Sequence, residues 1–106
     1  FENLIASHLL KYVHYGQDCE GRDLDLCYFR DVDGREVDFV LTEKRKPILF
    51  VECKISGKDI SPPLKYLKQR FPEVRAVQAV YHLHEKYIAE GKIEIIPAHI
   101  FLKELV

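Results

Sequence analysis

The sequence has no methionine, only three cysteines, and no apolar run of the roughly 18 residues that a membrane span needs. From the last absence, no membrane-spanning segment is expected, and no membrane partner. No basic leader with an apolar core and a small-residue cleavage site is present, so no secretory signal is expected. The chain opens on Phe1-Glu2-Asn3-Leu4, already helical in character, which leads us to expect a piece of a longer protein. Cys19, Cys27 and Cys53 are odd in number and form no C-x-x-C pair, which argues against a zinc site. Free thiols in a reducing cytosol are the simplest reading, so a cytoplasmic location is expected. Charge of one sign is also lacking: 16 basic residues face 17 acidic ones, for a net charge of −1. A stand-alone domain that grips nucleic acid through many phosphates is usually basic. The balance counts against tight DNA binding by this chain alone, and leaves room for a local patch.

What is present suits one globular domain over residues 1–106. The apolar share is 47%, which excludes disorder. Leu4, Ile5, His8, Leu9, Tyr12 and Val13 recur at helical spacing, predicting a helix over 1–15 that stops at Gly16, followed by a loop over 17–23. A strand over 24–32 and another over 35–42 flank Asp33-Gly34, which predicts a two-residue hairpin. The charged Glu43-Lys44-Arg45-Lys46 turns the chain into a third strand, Pro47 to Ile55. After the loop Ser56-Gly57-Lys58-Asp59, Ser61-Pro62-Pro63 reads as a helix start, with Ser61 a candidate N-cap and Pro62 at the first helical position. That helix runs over 61–71 until Pro72 ends it. A strand over 74–82, a short helix or loop over 84–91, a strand over 92–96 and a helix from Pro97 to Leu105 complete the order. The helical crossover from the third strand to the fourth favours parallel pairing. The expected fold class is therefore α/β, with a mixed central sheet flanked by helices on both faces.

Charged residues inside the apolar strands carry the functional argument. Alternation puts Ile48, Phe50, Glu52 and Lys54 on one face of the third strand. On the second it puts Glu36, Asp38 and Val40 on one face, with Val37, Phe39 and Leu41 opposite. Hairpin neighbours then bring Asp38 beside Glu52, with Lys54 on the same face and Glu36 one pleat further out. A charge in a covered strand is costly unless it is paired, hydrogen-bonded or metal-bound. Two carboxylates and water make a hard, oxygen-rich site that suits Mg²⁺ or Mn²⁺. The Cys53 carbonyl and Glu2 on the first helix are further candidate ligands, and Lys54 is placed to orient a water or to stabilise charge on a phosphate. The plainer alternatives are a Glu52–Lys54 structural ion pair and an Asp38 facing water at a sheet edge.

Three segments also carry a family likeness: Phe1-Glu2-Asn3-Leu4-Ile5-Ala6 with Leu9-Leu10-Lys11; Tyr28-Phe29-Arg30-Asp31 with Gly34-Arg35-Glu36-Val37-Asp38-Phe39-Val40-Leu41; and Phe50-Val51-Glu52-Cys53-Lys54. Together they resemble the uncharacterised C-terminal domain that follows a P-loop ATPase module in bacterial and archaeal AAA+-type ATPases. That domain is similar to PD-(D/E)XK, restriction-endonuclease-like nucleases. The resemblance implies a restriction-endonuclease-like fold and a metal-dependent deoxyribonuclease; activity against RNA is a separate alternative that the sequence does not distinguish from it. It maps the metal-binding Asp onto Asp38, the Glu-x-Lys onto Glu52 and Lys54, and the acidic residue of the first helix onto Glu2. Val37 stands where the motif has proline. Gln69, on the helix after Glu-x-Lys, is a weak candidate. No G-x-x-x-x-G-K-[ST] occurs, so the ATPase module is expected upstream of Phe1. A catalytically weak module that serves the ATPase in regulation or interaction is the alternative.

Elsewhere, Lys58, Lys65, Lys68, Arg70 and Arg75 outnumber Asp59 and Glu73 around the 61–71 helix. They are either phosphate contacts or an ordinary solvated face. His82 and His84 are two apart and lack a third zinc ligand.

Overall fold

The computed structural model describes residues 1–57 and 59–105; the Lys58 of the sequence argument lies outside them. The chain runs α1 (Glu2–Glu20), β1 (Leu24–Arg30), β2 (Glu36–Glu43), β3 (Lys46–Ser56), α2 (Pro62–Arg70), β4 (Arg75–His82), β5 (Tyr87–Ile88), a 3₁₀ turn at Glu90–Lys92, β6 (Glu94–Pro97) and α3 (Ala98–Glu104). The strands form one mixed six-stranded sheet in the order β1-β2-β3-β4-β6-β5. β1, β2 and β3 pair antiparallel, and the crossover through α2 makes β4 parallel to β3, as expected. β6 is parallel to β4, and β5 is antiparallel to β6. Among the described residues, no helix is long and apolar enough to cross a membrane.

Helices cover both faces, and each face has its own core. Ile5, Leu9 and Val13 of α1 and Phe101 of α3 pack on Leu41, Leu49, Val51, Val77 and Ala79. On the other face, Leu64 and Leu67 of α2 pack on Val37, Phe50, Ala76, Val80 and Ile95.

The structure corrects several local expectations. Gly16 does not end the first helix, which runs on to Glu20, where Gly21 caps it in the left-handed conformation at φ 66°. Gly16 is there for closeness. A Cβ on it would sit 2.5 Å from Cδ1 of Leu24, itself fully buried. Asp33-Gly34 is not a two-residue hairpin either. Asp31 organises a longer loop, its Oδ1 accepting from the N–H groups of Asp33 and Arg35 at 3.0 and 2.9 Å. The tight turn is Lys44-Arg45, between the paired Glu43 and Lys46, with both residues at positive φ. The 84–91 segment contains the edge strand β5, whose two residues are too few to show alternation.

Two bulges break the alternation read from the sequence. Cys27 pairs with Val40 but Phe29 pairs with Val37, so Asp38 and Phe39 together oppose Tyr28. Such a bulge keeps both extra residues on one side and flips the strand beyond it. Val37 accordingly joins Val40 and Phe50 in the α2-side core, while Phe39 and Leu41 pack on the α1 side. A second irregularity lies between Leu41 and Thr42 of β2, opposite Ile48 of β3, and Ile48 packs with the α1-side core rather than on the face of Phe50.

Candidate functional site

The site lies where β2 and β3 part. Their backbone pairing runs from Glu43↔Lys46 to Phe39↔Val51. Beyond it, two carboxylates continue the ladder with side chains. The Cys53 N–H donates to Asp38 Oδ2 at 2.9 Å, and the Asp38 N–H donates to Glu52 Oε1 at 3.2 Å. Asp38 is half-buried and sits on the bulge, so it leaves the face shared by Glu52 and Lys54 and turns toward the α1 side. The expectation of three charged residues on one sheet face is corrected there. The two carboxylates still meet, because they lie at the end of the paired region.

Glu2 reaches the same place from the first turn of α1. The α1 helix is held by Ile5 and Leu9, and its N-terminus sets Glu2 beside the Asp38 carboxyl, on the rim of one cavity. Negative charge accumulates as a result. Burial, and then the facing Glu52, push the Asp38 pKa up. The neighbouring Asp38 pushes that of the exposed Glu2 up. The Cys53 thiol beside them is raised well above its ordinary value, by burial first and then by Asp38 and Glu2, so it stays protonated. That fits a small, half-buried core residue rather than a nucleophile. Glu2 and Asp38, with Glu36, Leu26, Tyr28 and Phe39, line an open cavity of about 430 Å³.

Lys54 is half-buried on the face of Glu52. Among the described residues it forms no ion pair, so the Glu52–Lys54 bridge is not made. Glu36 is exposed and pairs with Arg30 at 3.2 Å. Gln69 is exposed and lines a separate cavity with Lys65 and Lys68, away from the carboxylates. The cations around α2 have local partners. Lys65 pairs with Glu90 at 2.6 Å, Lys68 donates to the carbonyls of Pro72 and Val74, and Arg75 is bound by Glu94 and Glu104. His82 and His84 are exposed, and the His82 ring meets the Tyr81 ring edge-on, centroids 4.7 Å apart.

In kind, the donors suit a hard divalent cation. Asp38 has Glu2 and Glu52 as neighbours, the Glu2 and Asp38 carboxyls have raised pKa values, and Lys54 forms no bridge to them. Among the described residues, no three His, Cys, Asp or Glu side chains already form a metal-holding cluster. Both Glu52 oxygens accept hydrogen bonds, Oε1 from Asp38 N–H and Oε2 from the Ser61 hydroxyl at 2.7 Å. Ser61 and Gln78 are the members of this neighbourhood that sequence reasoning missed. The one available sign was a lone amide inside Ala76-Val77-Gln78-Ala79-Val80, an otherwise apolar strand.

A family described as "Domain of unknown function (DUF4143)" matches residues 1–101. Among curated proteins, none matches the chain.

Proposed function

This chain belongs to the DUF4143 family, and we propose that it is a PD-(D/E)XK nuclease-type domain that cleaves DNA phosphodiester bonds with Mg²⁺ or Mn²⁺. The observation that carries the reading is Asp38 standing at the parting of β2 and β3 with Glu2 and Glu52 as its carboxylate neighbours, beside an open cavity that Glu2 and Asp38 line. Burial of Asp38 beside Glu52 makes its negative charge costly without a cation. Glu2 and Asp38, which line the cavity, would hold the ion together with Glu52. The Cys53 carbonyl is a further candidate. A bound Mg²⁺ or Mn²⁺ would polarise the scissile phosphate and lower the pKa of an attacking water. Lys54, half-buried and without an ion pair, is suited to orient that water or to stabilise charge on the phosphate. The resemblance to domains that follow an ATPase module supports the same reading, with an ATPase in the same polypeptide as partner.

Incubation with DNA and Mn²⁺ tests the proposal. Cleavage is expected from the wild type and only background from Asp38→Ala. No cleavage by the wild type, or equal cleavage by both, sinks it. The same assay on RNA decides between the two substrates.

A second reading is favoured by the hydrogen bonds themselves. Asp38 and Glu52 close the end of the β2–β3 ladder, which is structural work, and the net charge of −1 gives little general attraction to a polyanion. A nuclease fold kept as a regulatory or interaction module would look the same. Calorimetry separates the two, since Mn²⁺ binding that disappears in Glu52→Gln contradicts a purely structural module.

A further inference from the structure

Two buried polar residues stand together beside Glu52. Among the described residues, Ser61 and Gln78 are the polar side chains withdrawn from solvent, at 4% and 0% exposure. Withdrawing such groups is costly unless every polar atom finds a partner. Here each does, and the partners lead to one place. Gln78 pairs with Glu52 across the parallel β3–β4 ladder. Its Oε1 accepts from the Ser61 N–H at 2.9 Å, and its Nε2 donates to the Asp59 carbonyl at 2.8 Å. The amide thus holds the approach to α2 at both ends of the Asp59–Ser61 segment.

Ser61 is then diverted from its usual task. A serine at a helix start ordinarily turns its hydroxyl back onto the first free N–H groups of the helix. Ser61 makes no such bond. Its hydroxyl donates instead to Glu52 Oε2 at 2.7 Å, leaving Oε1 to take the Asp38 N–H.

We infer that Ser61 is a positioning residue for the candidate metal centre: held in place by Gln78, its hydroxyl fixes the Glu52 carboxylate toward Asp38. The inference deepens the nuclease reading and rests on it for the purpose of the carboxylate, while the hydrogen-bond relay can be tested apart from it. Carboxylates at metal sites are commonly oriented by such outer partners, and losing one typically weakens metal affinity by about 10–100-fold. Because the hydroxyl does not cap α2, removing it leaves the helix start intact.

The experiment compares wild type, Ser61→Ala and Ser61→Thr by Mn²⁺ calorimetry and by hydrogen exchange of the Asp38 amide without metal. In Ser61→Ala, Mn²⁺ affinity is expected to fall about tenfold or more, and the Asp38 amide to exchange about tenfold faster as its acceptor loosens. Ser61→Thr, which keeps the hydroxyl, retains both. An Asp38 exchange rate in Ser61→Ala equal to that of the wild type overturns the relay, as does a Ser61→Thr that behaves like Ser61→Ala. Wild-type protein that neither binds Mn²⁺ nor cleaves DNA overturns the nuclease reading instead, and the Asp38 exchange rate still decides the relay.

Discussion

Half-burying a carboxylate beside another, as Asp38 lies beside Glu52, stabilises its protonated form. At Asp38 the folded chain therefore binds a proton more tightly than the unfolded chain does. By linkage, stability falls as pH rises from the ordinary aspartate value of 3.8 through the raised folded value, and the penalty persists at neutral pH. Asp38→Asn removes the charge and keeps an oxygen to accept the Cys53 N–H. In EDTA it is expected to melt a few degrees above wild type at about pH 7.5, the difference vanishing below about pH 4. Added Mn²⁺ should raise the melting temperature of wild type and not that of Asp38→Asn. Thermal melts across pH, with and without Mn²⁺, check both outcomes. Asp38 and Glu52 were readable as unusual because a charge in an apolar strand stands out. Ser61 was readable only as a helix cap, since its diversion depends on a strand from elsewhere in the chain.

Single elements show how a local rule can hold and its address be wrong. Both central residues of a type I′ hairpin need positive φ, so Asp33-Gly34 was the natural site for one. The structure puts that geometry on Lys44-Arg45, at φ 52° and 68°, because β2 and β3 must reverse there to pair Glu43 with Lys46. The left-handed conformation costs a residue with a side chain about 1–2 kcal/mol. Replacing the pair by Asn-Gly, as K44N with R45G, is expected to stabilise the domain by about 1 kcal/mol. The check is an upward shift of the urea midpoint with the slope unchanged. The bulge at Asp38 and Phe39 is the converse case. Nothing in Val37-Asp38-Phe39-Val40 announces it, and it moves Val37 and Asp38 to faces opposite those that alternation assigns.

The whole molecule brings the site together by laying α1 across the sheet. Glu2 reaches Asp38 only because Ile5, Leu9 and Val13 anchor that helix on Leu41, Leu49 and Val51. Leu9 is fully buried, and Leu9→Ala is expected to cost about 2–5 kcal/mol. That is a large part of the roughly 5–15 kcal/mol a small domain has. Urea unfolding measures it. Mn²⁺ affinity should fall in the same variant, although Leu9 lies outside the site, because Glu2 rides on the helix it anchors. The near balance of charge also acquires a structural sense at this scale. Arg22 is bound by Glu43, Arg75 by Glu94 and Glu104, and Lys65 by Glu90, so much of the basic complement is engaged internally.

By itself, the sequence determined the order of the main elements, the α/β class, the helices on both faces and the candidates Glu2, Asp38, Glu52 and Lys54. Those follow from period, composition and the cost of burying charge, all of which are local. Only the tertiary structure decided which face Asp38 occupies, that Glu36 and Gln69 stand apart from the carboxylate contacts, and that Ser61 and Gln78 brace Glu52. The reason is physical. A bulge is set by how two strands register against each other, and a buried amide is explained only by the partners that a distant segment brings to it.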